Sequence, residues 1–246
     1  MKNYLYTLSL IFLASCNIIN PLYDEGEYIE TSIEVGDFTQ LEVHNIFNIE
    51  IIDDTETYVL YKGGENILEQ MHYTTENNTL KLDHKFINWA NNYKMPTLEI
   101  HVPEIEKIHL YSSGYLSSLN QLSGERIEVS IHEEASIYEI DLKIKYASLY
   151  FHSQGSASGT IAFSGECTLA TYTLNGSTNI QASDLITERI GIVQNSLGDA
   201  HIYVENMIRA TFYKSGNIYY KGNPEDIEVE YKQINNQDAS GKLIPE

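Results

Sequence analysis

The chain has 246 residues, 42% of them apolar and 20% charged, with 35 acidic against 15 basic residues and a formal charge of −20. That length suits one large or two modest domains, and all-β folds of this size are commonly single units. The acidic excess argues against nucleic-acid partners, which require a basic face to displace phosphate counterions.

From Tyr4 to Ala14 the chain carries no charge, with Lys2 ahead of the run and Ser15 behind it. This is the layout of a secretory signal, and the run is too short to span a bilayer, which takes ~20 apolar residues. The residues Leu13-Ala14-Ser15-Cys16 resemble the bacterial lipobox. The resemblance implies transfer of a diacylglycerol to the Cys16 thiol and removal of residues 1–15, which deletes only Lys2 and takes the charge from −20 to −21. Acyl chains stabilise membrane association by ~0.8 kcal/mol per buried methylene, so two or three of them hold a protein durably. The expectation is an envelope lipoprotein on the outer membrane, with the membrane as its lipid-mediated partner. The other cysteine is Cys167, so with Cys16 acylated no intramolecular disulfide can form and stability has to come from packing.

Residues 16–32, including "NPLYDEGEY", show no steady apolar period and read as a tether. Asp24, Glu25 and Glu27 loosely match the acidic residues that follow the acylated cysteine in some surface-exposed lipoproteins of Bacteroidetes. Beyond the tether, "LEVHNIFNIEII", "TYVLYK", "TLKLDHK" and "TLEIHV" alternate apolar with polar residues and are rich in Val, Ile, Thr and Tyr, the pattern of half-buried strands. "GENILEQM", 64–71, is the one stretch with helical spacing, and "ENNTLKL" reads as a turn entering a strand.

From Lys107 onward the chain repeats itself. Small turn residues recur at Gly114, Ala135, Gly155, Gly176, Gly198 and Gly216, at intervals of 21, 20, 21, 22 and 18 residues. A period near twenty marks a solenoid of stacked units. Six residues before each anchor stand Ile108, Val129, Leu149, Ala170, Ile192 and Ala210; four before stand Leu110, Ile131, Phe151, Tyr172, Gln194 and Phe212. These two columns are predicted to point inward. Tyr111, His132, His152, Thr173, Asn195 and Tyr213, three before the anchors, are predicted to point outward, because successive strand side chains alternate faces. The fold class is therefore all-β, a solenoid with coils of about twenty residues, with a β-sandwich of hairpins as the alternative that the same alternation permits.

"VPEIEKIHLYSSG" at 102–114, "LNGSTNI" at 174–180 and "YKSGNIYYKGNPE" at 213–225, together with the lipobox and the opening "GDFTQLEVHNIFNIEI", resemble the autotransporter adhesin head, or GIN, domain of Bacteroidetes. The likeness covers about residues 33–235 and implies a right-handed parallel β-helix-like solenoid on the cell envelope, followed by a tail over 236–246. "HEEAS" and "NSLGD" stand where the family repeats Ser-Gly-Ser-Gly turns. The resemblance carries over no catalytic or binding residues.

Candidate sites follow from the residues. His132 and His152 fall at the same offset in neighbouring coils, where their imidazoles are candidates to share a metal, although a metal site normally gathers three or more ligands. The remaining six histidines show no ligand spacing. Glu133 with Glu134, and Glu139 with Asp141, are the paired carboxylates that glycoside chemistry on a β-helix would use. "SQGSASG", 153–159, lacks the Lys-Ser/Thr of a phosphate loop and reads as a turn. Among nineteen tyrosines, Tyr111, Tyr150 and Tyr213 occupy outward columns, and "INWANNY", 87–93, carries Trp89 and Tyr93 on a projecting loop. Such side chains offer broad apolar area with a polar tip, as glycan and protein contacts require. The sequence thus points to a lipid-anchored adhesin or binding module that needs no cofactor and performs no catalysis, with a carbohydrate-active enzyme as the alternative and a structural spacer as a third reading.

Overall fold

The computed structural model describes residues 25–84, 94–132, 138–234 and 236–246. An N-terminal set of elements comprises β1 (Tyr28–Ile33), β2 (Gln40–Val43), β3 (Asn48–Asp53), β4 (Tyr58–Gly64), α1 (Glu65–Leu68), β5 (Met71–Glu76), β6 (Thr79–His84) and β7 (Thr97–Val102). The coils follow in β8 (Lys107–Leu110), β9 (Gly114–Ser118), β10 (Leu122–Ile131), β11 (Tyr138–Ser153), β12 (Ser158–Ser196), β13 (Ala200–Phe212), β14 (Ile218–Lys221) and β15 (Asp226–Tyr231). The chain closes with β16 (Gln233–Ile234), β17 (Gln237–Asp238) and β18 (Leu243–Pro245).

The architecture is a β-solenoid of about six turns with a spacing near 21 residues. Successive coils stack their strands into three faces. On the first face Leu41 pairs with Ile108, Val129 with Ile108 and Phe151, Phe151 with Tyr172, and Ile208 with Ile227. On the second, Leu116 pairs with Ile49 and Ile140, Ile140 with Ile161, and Ala200 with Ile180 and Ile218. The third face begins with Leu122 against Ile144 and continues with Tyr146 against Cys167. All of these pairings are parallel, and apart from Leu41 with Ile108 and Ile49 with Leu116, between which β4 to β7 intervene, they join residues about one coil apart, whereas a sandwich of hairpins would pair consecutive strands antiparallel.

Alternation along each strand fills the interior. All twelve residues expected inward, six before and four before each anchor, are buried, and Leu41, Ile108, Val129, Phe151 and Tyr172 are at most 1% exposed. Fully burying an aliphatic or aromatic side chain contributes roughly 1.5 to 3 kcal/mol, so the stacked columns supply the stability that a disulfide framework would otherwise provide. Four of the tyrosines, Tyr61, Tyr138, Tyr146 and Tyr172, belong to this core rather than to the surface.

The recurrent glycine has a steric origin. Gly176 sits at φ +65, and a Cβ there would fall 2.1 Å from the Ala157 carbonyl oxygen; at Gly216 it would fall 2.1 Å from the Gly198 oxygen. Corners of successive coils approach so closely that a side chain on one strikes the backbone of the last.

The N-terminal elements close one end. β4 runs antiparallel to β1 and β7, and β5 antiparallel to β6, so the first parallel rungs meet hairpins instead of ending in an open edge. Asn77 and Asn78, at φ 51 and 64, make the two-residue turn that "ENNTLKL" signals. The helical spacing of 64–71 yields only α1, four residues long. Two boundaries differ from expectation. β1 begins at Tyr28, inside the stretch read as tether, because its alternating residues find a partner in β4; the C-terminal stretch read as a tail returns as β18 beside β14.

Candidate functional site

Parallel stacking in register lines up outward side chains in rows along the axis. On the first face the pairing of Val43, Leu110 and Ile131 sets His44, Tyr111 and His132 in one row immediately after them. Their rings stack: His44 on Tyr111 at 4.5 Å and 6°, Tyr111 on His132 at 4.0 Å and 12°. The neighbouring row holds Glu42, His109, Ser130, His152 and Thr173.

This register corrects the placement of the histidines. His152 lies opposite Ser130, not His132, because the step from one strand to the next is 22 residues here while the turn anchors are 20 apart. His109, which has no ligand spacing in the sequence, is the residue that meets His132. Its Nδ1 is 3.1 Å from His132 Nε2, a hydrogen bond in which one ring donates and the other accepts. Among the described residues no group of three or more His, Cys, Asp or Glu side chains is placed to hold a metal.

Ser130 is small and 5% exposed, with the larger His109 and His152 on the rungs to either side. The contrast in size opens a cleft of about 400 Å³, with Ser130 as floor and His109, His132, Tyr150 and His152 as walls. Arg126 and Glu128 form its rim. The Arg126 guanidinium lies 4.1 Å over the Tyr150 ring and donates to Glu128 Oε2 at 3.1 Å. Cation–π stacking of this kind holds a flexible arginine in place.

Tyr111, His132, Tyr150 and His152 thus come together, although not as bare platforms. Tyr111 is sandwiched between His44 and His132 and presents its edge to solvent, and one face of Tyr150 is taken by Arg126. Tyr213 is half-buried four rungs further along the first face, ~19 Å away at the usual strand spacing. Trp89, Tyr93, Glu133 and Glu134 lie outside the described residues. Glu139 and Asp141 stand exposed on the second face, beside Tyr115, Asn48 and Ser117, in a cleft of about 500 Å³. Tyr115, 48% exposed, is not singled out by its sequence position. On the third face a cleft of about 420 Å³ gathers Glu125, Glu166, Glu188 and Glu205, with Lys145 3.4 Å from Glu166.

A second cluster ties β3, β4 and β7 together among the N-terminal elements. His101 directs Nδ1 to Asp54 Oδ2 at 2.7 Å and Nε2 to Glu99 Oε1 at 3.0 Å, and stacks on Tyr58 at 4.0 Å. Lys62 contacts the other Glu99 oxygen. Lys62, and then His101, hold the Glu99 carboxyl below the usual carboxylate range, and the His101 hydrogen bond does the same for Asp54. His101 is only 8% exposed, so this cluster serves cohesion rather than contact with a ligand.

Residues 37–224 match the family model described as "Putative auto-transporter adhesin, head GIN domain". No curated protein matches the chain. Similar crystal structures include a "putative adhesin" from Bacteroides fragilis, 21% identical, with a TM-score of 0.78 over 89% of this chain and 97% of that one. A "putative adhesin" from Parabacteroides distasonis is 15% identical, with a TM-score of 0.67 over 90% and 98%. A "putative lipid binding protein" from the same species is 18% identical, with a TM-score of 0.62 over 90% and 97%. At these identities the likeness shows the fold alone.

Proposed function

The chain belongs to the auto-transporter adhesin head GIN domain family, and from that premise we propose that it is a lipid-anchored, non-catalytic adhesin of the cell envelope. In this reading Cys16 carries the acyl chains, a short tether follows, and the solenoid holds its first face out from the membrane as the contact surface. The observation that carries the reading is the cleft around Ser130. It is a concave, mixed aromatic and polar site on a face whose side chains are fixed by register, which suits recognition of a ligand by shape and hydrogen bonds. Glu139 and Asp141, the described carboxylate pair, are exposed on an open strand face, which favours binding over glycoside chemistry, since the latter needs two acids enclosed around a bond. One structural relative is described as lipid-binding, but the interior of this solenoid is filled by Phe151, Phe163, Tyr172 and Phe212, so a ligand would be met on the outside.

Cys16→Ser tests the anchor. The variant should leave the membrane fraction and lose fatty-acid labelling; unchanged partition would end the lipoprotein reading. The released chain, screened on arrays of glycans and matrix proteins, should retain at least one class of ligand, and retention of none would end the adhesin reading.

A further inference from the structure

The cleft on the first face gathers imidazole and guanidinium groups in an acidic chain. In a chain with 35 acidic and 15 basic residues, its walls and rim hold three imidazoles, from His109, His132 and His152, and the Arg126 guanidinium. The third face carries four glutamates in its own cleft. Among the described residues lining the Ser130 cleft the one carboxylate is Glu128, already engaged by Arg126. Glu42, beside His109 on the preceding rung, is held by Lys81 at 3.2 Å and His44 at 3.3 Å. Lys107 precedes His109 on the same side of β8, while β12 brings only Thr171 and Thr173 against Tyr150 and His152. Among the described residues lining the cleft, no acid is therefore left unengaged to repel an anion.

The hydrogen-bonding chemistry is also suited to a polyhydroxyl ligand. Imidazoles donate and accept, and the Ser130 hydroxyl does both. Arg126 spends one edge on Glu128, and its guanidinium has further N–H donors for a carboxylate or sulfate. The volume of about 400 Å³ lies within the ~300 to 1,000 Å³ of small-ligand pockets.

We infer that this cleft binds anionic saccharides, sugars bearing a carboxylate or sulfate, with Arg126 on the acid group and His109, Ser130 and His152 on ring and hydroxyl oxygens. The inference rests on the adhesin reading and names its ligand class. Salt weakens binding, because the cleft is open to solvent.

The test uses the full chain carrying Cys16→Ser, with polygalacturonate, chondroitin sulfate and neutral dextran as probes. At least one anionic polymer should bind at least tenfold more tightly than dextran. A preference for polygalacturonate assigns the acid group as carboxylate, and a preference for chondroitin sulfate assigns it as sulfate. His109→Gln with His152→Gln, and separately Arg126→Gln, should each weaken binding at least tenfold. Glu139→Gln with Asp141→Asn, on the second face, should change nothing. Circular dichroism matching the parent confirms that each variant is folded, as expected for outward side chains. Dextran binding as tightly as the acidic polymers, or acidic-polymer binding untouched by the histidine and arginine changes, overturns the inference. If those variants instead keep full retention on the glycan and matrix array, the inference falls while the adhesin reading stands.

Discussion

Replacing Gly176 by alanine tests the steric logic of the coil directly. The new Cβ would lie 2.1 Å from the Ala157 carbonyl oxygen, and that oxygen accepts from Ser177 N at 3.0 Å, so relieving the clash breaks a bond between coils. Losing one such bond costs about 1 kcal/mol. Placing alanine at φ +65 costs roughly 1 to 2 kcal/mol, and displacing packed neighbours roughly 1 to 3. The expected destabilisation is about 3 to 6 kcal/mol, a large part of the ~5 to 15 kcal/mol typical of whole domains. Gly191 is the internal control: nothing lies within 4 Å of its would-be Cβ, so Gly191→Ala should be neutral or stabilise by up to ~1 kcal/mol through the unfolded chain. Urea unfolding of the two variants and the parent, fitted with a common slope, measures the difference. A Gly176→Ala chain within 1 kcal/mol of the parent, or a Gly191→Ala chain equally damaged, would refute the close-approach account.

Two further outcomes follow from the electrostatics. Because Lys62 lowers the folded-state pKa of Glu99, their contact contributes stability that is fully present above the ordinary carboxylate range, near pH 4.5, and is lost as pH falls below it. Lys62→Met should therefore destabilise the chain at pH 7 by an amount that shrinks on acidification, and a deficit constant down to pH 2 in pH-dependent unfolding would contradict this. Burial pushes the Cys167 thiol up to about 11, and the side chain is 5% exposed. In the Cys16→Ser chain this one thiol should resist a disulfide reagent at pH 8 until urea unfolds the protein, and rapid reaction of the native chain would show that the core opens locally.

The inward face of every coil was legible in the sequence because side-chain direction depends only on period-two alternation. Leu110, Ile131, Phe151 and even the polar Gln194 are all buried as that pattern requires. Row membership was not legible to the same degree. The turn glycine marks where coils approach, but corners vary in length, so counting back from it sets His152 beside His132 when the strands set it beside Ser130. The error hid His109, whose partner becomes apparent only from strand register. The antiparallel closure by β1, β4 and β7 was equally hidden, since "TYVLYK" and "TLEIHV" alternate as the parallel strands do and nothing local encodes the direction of the neighbour. The Asn77-Asn78 turn is the exception, a hairpin written in residues that tolerate positive φ.

Where the ligand sits is answered most directly by amide and imidazole chemical-shift mapping of the labelled Cys16→Ser chain with oligogalacturonate. The expected result is a contiguous set of shifts at His109, Ser130, His132, Tyr150 and His152. Shifts centred instead on Tyr115, Glu139 and Asp141, or spread without a centre over all three faces, would contradict it.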